Sequence, residues 1–144
     1  MENFEKGETV EVELDHFEPF AKFIVLPALP EDVLLFKVRG GSKIKDLMEA
    51  AIRGMNDNPK NHRFIIFHGT GPAINKVISC VEILKRRVKD PLQQITKLSH
   101  QEVQELWNPK LEGLNVIKVS RKIPAIHILL SKDPLNPDEP GFQK

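Results

Sequence analysis

"FIIFHGTGPAINKVISCVEILKRR" (residues 64–87) joins an apolar run to a Gly-x-Gly turn and then to a long amphipathic segment. The run is short and rich in β-formers, which reads as a buried strand. Pro72 stands where a first helical residue would. Ile74, Val77, Ile78, Val81, Leu84 and Val88 follow at three- and four-residue spacing, so the spacing predicts a helix with one core-facing stripe. Lys85, Arg86, Arg87 and Lys89 close it, and Asp90-Pro91 stops it. A strand, a glycine turn and a helix also build a dinucleotide loop, but that fingerprint needs a third glycine, and Ile74 holds its place. Asp90 lies near the distance of a ribose-binding acid, yet it follows the helix instead of ending the next strand. A Walker loop is excluded, because no Gly-Lys-Ser/Thr closes the turn. Taken alone, the turn reads as a tight connection that uses glycine's φ freedom.

The same pattern occurs upstream, in "VLLFKVRGGSKIKDLMEAAIRGM" (residues 33–55). A strand ends, Gly40 and Gly41 turn the chain, and Ser42 reads as the N-cap of a helix. The core stripe of that helix is Ile44, Leu47, Met48, Ala51, Ile52 and Met55, with Glu49 and Arg53 as a favourable i,i+4 pair on another face. Lys43 and Lys45 fall in its first turn, where cations oppose the helix dipole at a cost on the order of 0.3–1 kcal/mol each. An anionic partner would reverse that cost, and the exposed N–H groups of a helix start suit a phosphate. The candidate binding residues at this turn are therefore Arg39, Gly41, Ser42, Lys43 and Lys45.

Farther out, "LQQITKLS" alternates as a strand, and "VIKVS" and "AIHILLS" read as further strands. "HQEVQELWNPKLEGLN" stands open between a hairpin arm and a helical turn. The order β-α-β-α-β-β predicts an α/β, two-layer α+β domain: a mixed four-stranded sheet with two helices packed on it. Three segments are expected: an acidic, proline-punctuated arm over residues 1–30, mobile up to about Phe20 and an extended connector after it, the domain over 31–132, and a proline-rich tail over 133–144. Up to Phe20 there are seven acidic residues against one lysine, a net of −6; residues 21–132 hold 19 basic and 10 acidic residues, a net of +9. A basic body suits a polyanion.

No run approaches the roughly 20 apolar residues that span a bilayer, and the acidic start is not written as a secretory signal. The one cysteine, Cys80, forms no internal disulfide and fits a reducing compartment. It sits within the helix as packing rather than as a reactive thiol. His16, His62, His68, His100 and His127 are scattered singly, so no metal site is expected. His68 and Lys76 could serve acid–base chemistry, but no nucleophile–base–orienter set is legible. No catalytic residue and no cofactor is expected.

The motifs "GGSKIKDLM", "GTGPAINKVISCVEILKRR" and "LLSKDPLNPDEPGFQ" together resemble the Alba family of small, dimeric nucleic-acid binders. Their wording is similar to the eukaryotic branch typified by the twenty-five-kilodalton protein subunit of ribonuclease P and ribonuclease MRP. The resemblance spans about residues 33–131. It implies an RNA partner, a structured stem-loop, and a second Alba-like subunit in a heterodimer, with a homodimer in isolation as the alternative. It implies a nuclear and nucleolar location and a part in processing tRNA and rRNA precursors, where the RNA and not this chain cuts. Lys43, Gly69, Gly71 and Lys76 match the family's two turns, and the resemblance implies Gly69, Thr70, Gly71, Asn75 and Lys76 as binding residues at the second turn. Two departures stand out. Pro72 replaces the usual Arg after the second glycine, removing a phosphate contact, and Asp46 stands where the branch often has Asn. A dimerisation scaffold with little RNA contact, and a small nucleotide-binding enzyme using Gly69 and Gly71, stand as the other readings.

Overall fold

A computed structural model describes residues 4–11, 33–57, 62–109, 116–135 and 137–143. In chain order the elements are β1 (Phe4–Glu11), β2 (Val33–Lys37), α1 (Ile44–Ile52) running into a π-helical turn (Arg53–Asp57), and β3 (Phe64–Thr70). A 3-10 turn (Gly71–Ala73), α2 (Ile74–Arg87), β4 (Gln93–Pro109), β5 (Ile117–Ser131) and β6 (Phe142–Gln143) complete the order. The sheet order is β1-β4-β5-β3-β2, with β6 also on β4. β2 and β3 are parallel and every other pairing is antiparallel.

β3 is apolar without alternation because both of its faces are covered. Phe64 through Gly69 are all buried. Ile65 and Phe67 face the helices and pack with Met48, Ala51, Val77, Cys80 and Leu84. Phe64 and Ile66 face the other way, into a smaller cluster with Ile95, Leu129 and Leu135. Phe36 of β2 stacks on Phe67 with ring centroids 5.4 Å apart. The helix stripes fall where the spacing places them, with one exception: Ile78 is 43% exposed.

β4 and β5 stay in register from Gln93↔Ser131 to Trp107↔Ile117. The ambiguous segment is thus a hairpin arm, and the two short strands expected downstream are one. Pro124 interrupts nothing, because pairing with β3 ends at Ala125, one residue short of it.

The sheet has two strands beyond the four expected, and the chain ends supply them. β1 pairs with the far half of β4, from Phe4↔Pro109 to Glu11↔Val103. Residues 4–11 are therefore a strand and not a mobile arm. An edge strand is held by backbone hydrogen bonds, so an acidic, weakly apolar segment can form one without announcing it. The rest of the acidic arm and most of the proline-punctuated connector lie outside the described residues.

β6 ends a strap formed by the proline-rich tail. Ser131 Oγ donates to the Asp133 carbonyl (2.8 Å) and accepts from the Asp133 N–H (2.9 Å), tightening the exit from β5. Arg63 grips Asp133 Oδ1 through Nε (2.8 Å) and Nη2 (2.7 Å). That hydrogen bond holds the guanidinium pKa above its ordinary value. The Leu135 N–H donates to Gln93 Oε1 at 2.6 Å, and its side chain caps the smaller cluster. Lys97 then pairs with Glu139 and donates to the Pro140 carbonyl (3.1 Å), while the Thr96 N–H reaches the Gly141 carbonyl (3.0 Å). Gly141 sits at φ +91, and a Cβ there would collide with the Thr96 carbonyl oxygen. Glycine is required at that approach.

Leu135 is 5% exposed, so Leu135→Ala should destabilise the domain by about 2–5 kcal/mol in urea unfolding. A change below about 0.5 kcal/mol would show that the tail does not pack on the sheet.

Cys80 is fully buried, and burial raises its thiol pKa above the ordinary 9.0, with Lys76 opposing more weakly. The unfolded chain therefore ionises first as pH rises. The contribution of the neutral thiol is complete below the unfolded pKa and is lost as pH climbs toward the folded one. Between about pH 8.5 and 10 the protein should lose stability more steeply than Cys80→Ala. A thiol reagent at neutral pH should label Cys80 only as fast as the fold opens. Parallel alkaline limbs, or rapid labelling of the native protein, would contradict this placement.

Candidate nucleic-acid interface

Parallel pairing makes β2 and β3 end together. Lys37 lies opposite His68, and the Val38 N–H donates to the His68 carbonyl at 2.7 Å. Each strand then enters a glycine turn and a helix. Two turns and two helix starts therefore share one end of the domain, the carboxyl end of the parallel strands, where α/β folds form their binding crevices.

The first turn is residues 39–42. The Ser42 N–H donates to the Arg39 carbonyl (3.0 Å), and the Arg39 N–H donates to Ser42 Oγ (3.0 Å). The serine hydroxyl closes the turn and does not cap the helix as the sequence suggests. The N-cap is Lys43, which makes no side-chain cap bond. The first N–H groups of α1 have no intrahelical acceptor, and two cations stand in the same turn. Lys43 and Lys45 are exposed, as is Arg39. Asp46, also exposed, offsets part of their charge and favours the helix start. Gly40 and Gly41 need no special backbone: only Gly71 and Gly141 among the described glycines have positive φ. A Cβ at Gly40 or Gly41 would meet nothing within 4 Å. The fold does not demand these glycines, and the space over them is open.

The second turn is built the opposite way. Gly69 is buried, and a Cβ there would lie 2.5 Å from Val77 Cγ2 and 3.2 Å from the Ala73 carbonyl oxygen. Gly69 lets α2 approach β3, a packing role. Gly71 has φ +51, the left-handed turn that starts the 3-10 segment. Thr70, its extended N-cap, makes no side-chain cap bond, and Pro72 is exposed at the helix entry. Asn75 is exposed on the first turn of α2.

Lys76 joins the two turns. Its Nζ donates to the Gly40 carbonyl and to the Ser42 carbonyl, both at 2.7 Å. Arg39, Gly40, Gly41, Ser42, Lys43 and Lys76 thus form one cluster. Gly40, absent from the sequence candidates, belongs with them; the signal was its adjacency to Gly41. Gly69 lies beneath the surface that the others form.

A second surface was not visible in the sequence. Ile78 on α2 and Leu98 on β4 are 43% and 76% exposed. Beside Ile78 lies a groove of about 180 Å³, lined by Val81, Thr96, Ile126, Ile128 and Gln143 among others. One side is fixed by Lys85 Nζ, which donates to Gln94 Oε1 (2.7 Å), and by Gln94 Nε2, which donates to Thr96 Oγ1 (2.9 Å).

Among the described residues no group of three or more His, Cys, Asp or Glu side chains could hold a metal ion. No helix among them is long and apolar enough to cross a membrane.

The Alba family profile matches residues 35–102, from β2 into β4 and across both turns. The human ribonuclease P protein subunit p25-like protein is 42% identical over 120 residues, covering 82% of this chain and 72% of that one. The human ribonuclease P protein subunit p25 is 38% identical over 117 residues, covering 74% of this chain and 57% of its own length. Alba from Thermoplasma volcanium, a solved structure, aligns over 69% of this chain and 98% of that one, at 19% identity and a TM-score of 0.48. The chain belongs to the Alba family, in the branch of the ribonuclease P p25 and p25-like subunits.

Proposed function

We propose that this chain is a non-catalytic, RNA-binding protein subunit of ribonuclease P and ribonuclease MRP. It pairs with a second Alba-like subunit, holds a stem-loop of the RNA, and assists maturation of tRNA and rRNA precursors in the nucleus and nucleolus. The names of its relatives support the ribonucleoprotein setting. The observation that carries the RNA contact is the open Gly40-Gly41 turn, joined by Lys76 to α2 and flanked by exposed Arg39, Lys43 and Lys45.

Such a site meets phosphates. Lys43 and Lys45 act as point charges and the turn amides as donors. These contacts position a protein on RNA without reading bases, and an RNA helix is recognised chiefly through its shape and 2′-hydroxyls. Lys43→Glu should therefore weaken binding to many RNAs alike. Lys43→Gln should flatten the dependence of log K on log[salt] by about 0.7–0.9, one phosphate contact. Affinity that barely changes between low and moderate salt would defeat the phosphate mechanism.

The groove, with exposed Ile78 and Leu98 beside it, supports the pairing. Ile78, Leu98 and Thr96 offer a second Alba-like chain a surface that α2 leaves uncovered. Because Ile78 is largely solvated, Ile78→Asp should leave the fold intact while shifting the reconstituted pair to monomers in light scattering. A pair that persists undiminished would place the contact elsewhere.

Pro72 favours a second reading, a scaffold with little RNA contact of its own, since proline's tertiary amide at the second turn has no N–H to donate. Crosslinks from reconstituted pair to RNA that map only to the partner would select it. The nucleotide-enzyme reading fits less well: Gly69 serves helix packing and Pro72 removes a donor from the loop.

A further inference from the structure

We infer that Lys76 is not a phosphate contact but the positioning residue of the RNA-binding turn: its ammonium fixes the carbonyls of Gly40 and Ser42 inward and so aims the N–H groups of Gly41 and Lys43 outward. Only its consequence for binding rests on the RNA reading; the clip itself is a property of the free protein.

The geometry comes from peptide planarity. In a trans peptide the C=O and the next residue's N–H point in opposite directions. The Gly40 carbonyl accepts from Lys76 Nζ at 2.7 Å, so the Gly41 N–H of that peptide points away from Lys76. The Ser42 carbonyl accepts at 2.7 Å, so the Lys43 N–H does likewise. Two outward amides are thereby set beside the Lys43 side chain, over glycines with nothing within 4 Å of an added Cβ.

The hydrogen bonds between Arg39 and Ser42 close the turn on itself. Gly40 and Gly41 have no side chains to pack, and both are exposed. Lys76 is half-buried and anchored on α2, whose Val77 and Cys80 are fully buried. An ammonium carries three donors, and bonds from a charged donor are roughly twice as strong as neutral ones. Two of the three donors of Lys76 are engaged by the turn.

The test compares Lys76→Met with Lys43→Gln on the whole chain, reconstituted with its Alba-like partner, using a structured RNA stem-loop as probe. Lys76→Met should lower affinity about tenfold while leaving the salt slope within about 0.3 of wild type. Lys43→Gln should flatten that slope by about 0.7–0.9. In the free protein, Lys76→Met should speed amide exchange at Arg39 and Ser42 as the turn loosens, with α2 still protected. Lys76→Arg, which keeps charge and donors, should recover both affinity and protection, and it carries the test if the methionine variant is poorly folded. A slope loss near one with unchanged exchange would make Lys76 a phosphate ligand and overturn the inference. Unchanged affinity together with unchanged exchange would do so as well. If the wild type shows no Lys43-dependent RNA binding, the RNA reading fails, and the exchange data still decide whether Lys76 holds the turn.

Discussion

The parallel pairing of β2 with β3 is the constraint on which the candidate site depends. Parallel neighbours cannot be joined by a hairpin, so the chain must return through α1. With Lys37 opposite His68, the two strands finish side by side. The turn leaving each strand must then begin at the same end of the domain. Two glycine turns thus become adjacent, and two helix N-termini bring their partial positive charge to one surface. The buried faces of β3 hold that arrangement rigidly, because a slip of one residue would send Phe67 and Ile65 to the wrong cluster.

Within that frame the two glycine pairs answer to different physics. Gly69 and Gly71 are required by the fold, one by the approach of Val77 and the other by a left-handed backbone. Gly40 and Gly41 are required by neither. Glycine has an entropic cost on folding, so its use where packing and φ are permissive marks a place where something else must come close. That contrast separates the proposed binding turn from the structural turn, though both look alike as sequence.

The strands, helices and β-α-β-α-β-β order were legible because burial leaves a pattern: α1 and α2 carry clear helical periods, and β3 is a short unbroken apolar run. The missing pieces are held by contacts without a period. Ser42 looked like a helix cap because cap and turn use the same hydroxyl, and only the Arg39 N–H distinguishes them. β1 and β6 attach through backbone pairing to β4, which asks little of side chains. The tail motif was readable as a marker of its branch but not as a strap, since Gln93, Thr96 and Lys97 lie about forty positions from the groups they bind. Lys76 was legible as a cation near a turn. Its partners are 34 and 36 positions away, so the sequence offered the charge without its direction.

Ile78 shows why periodicity alone cannot separate a core position from an exposed one, and its placement bears on how the two proposed partners coexist. It falls at core spacing, yet α2 lies on the sheet so that Ile78 borders the groove over β4 rather than the interior. Residues two apart on a helix diverge by about 200° around its axis. Lys76 therefore reaches toward the first turn of α1 while Ile78 looks the opposite way, toward β4. A chain docked at the groove would leave the glycine turn open. The first turns of α2 can then present protein to one side and RNA to the other without either partner displacing its neighbour.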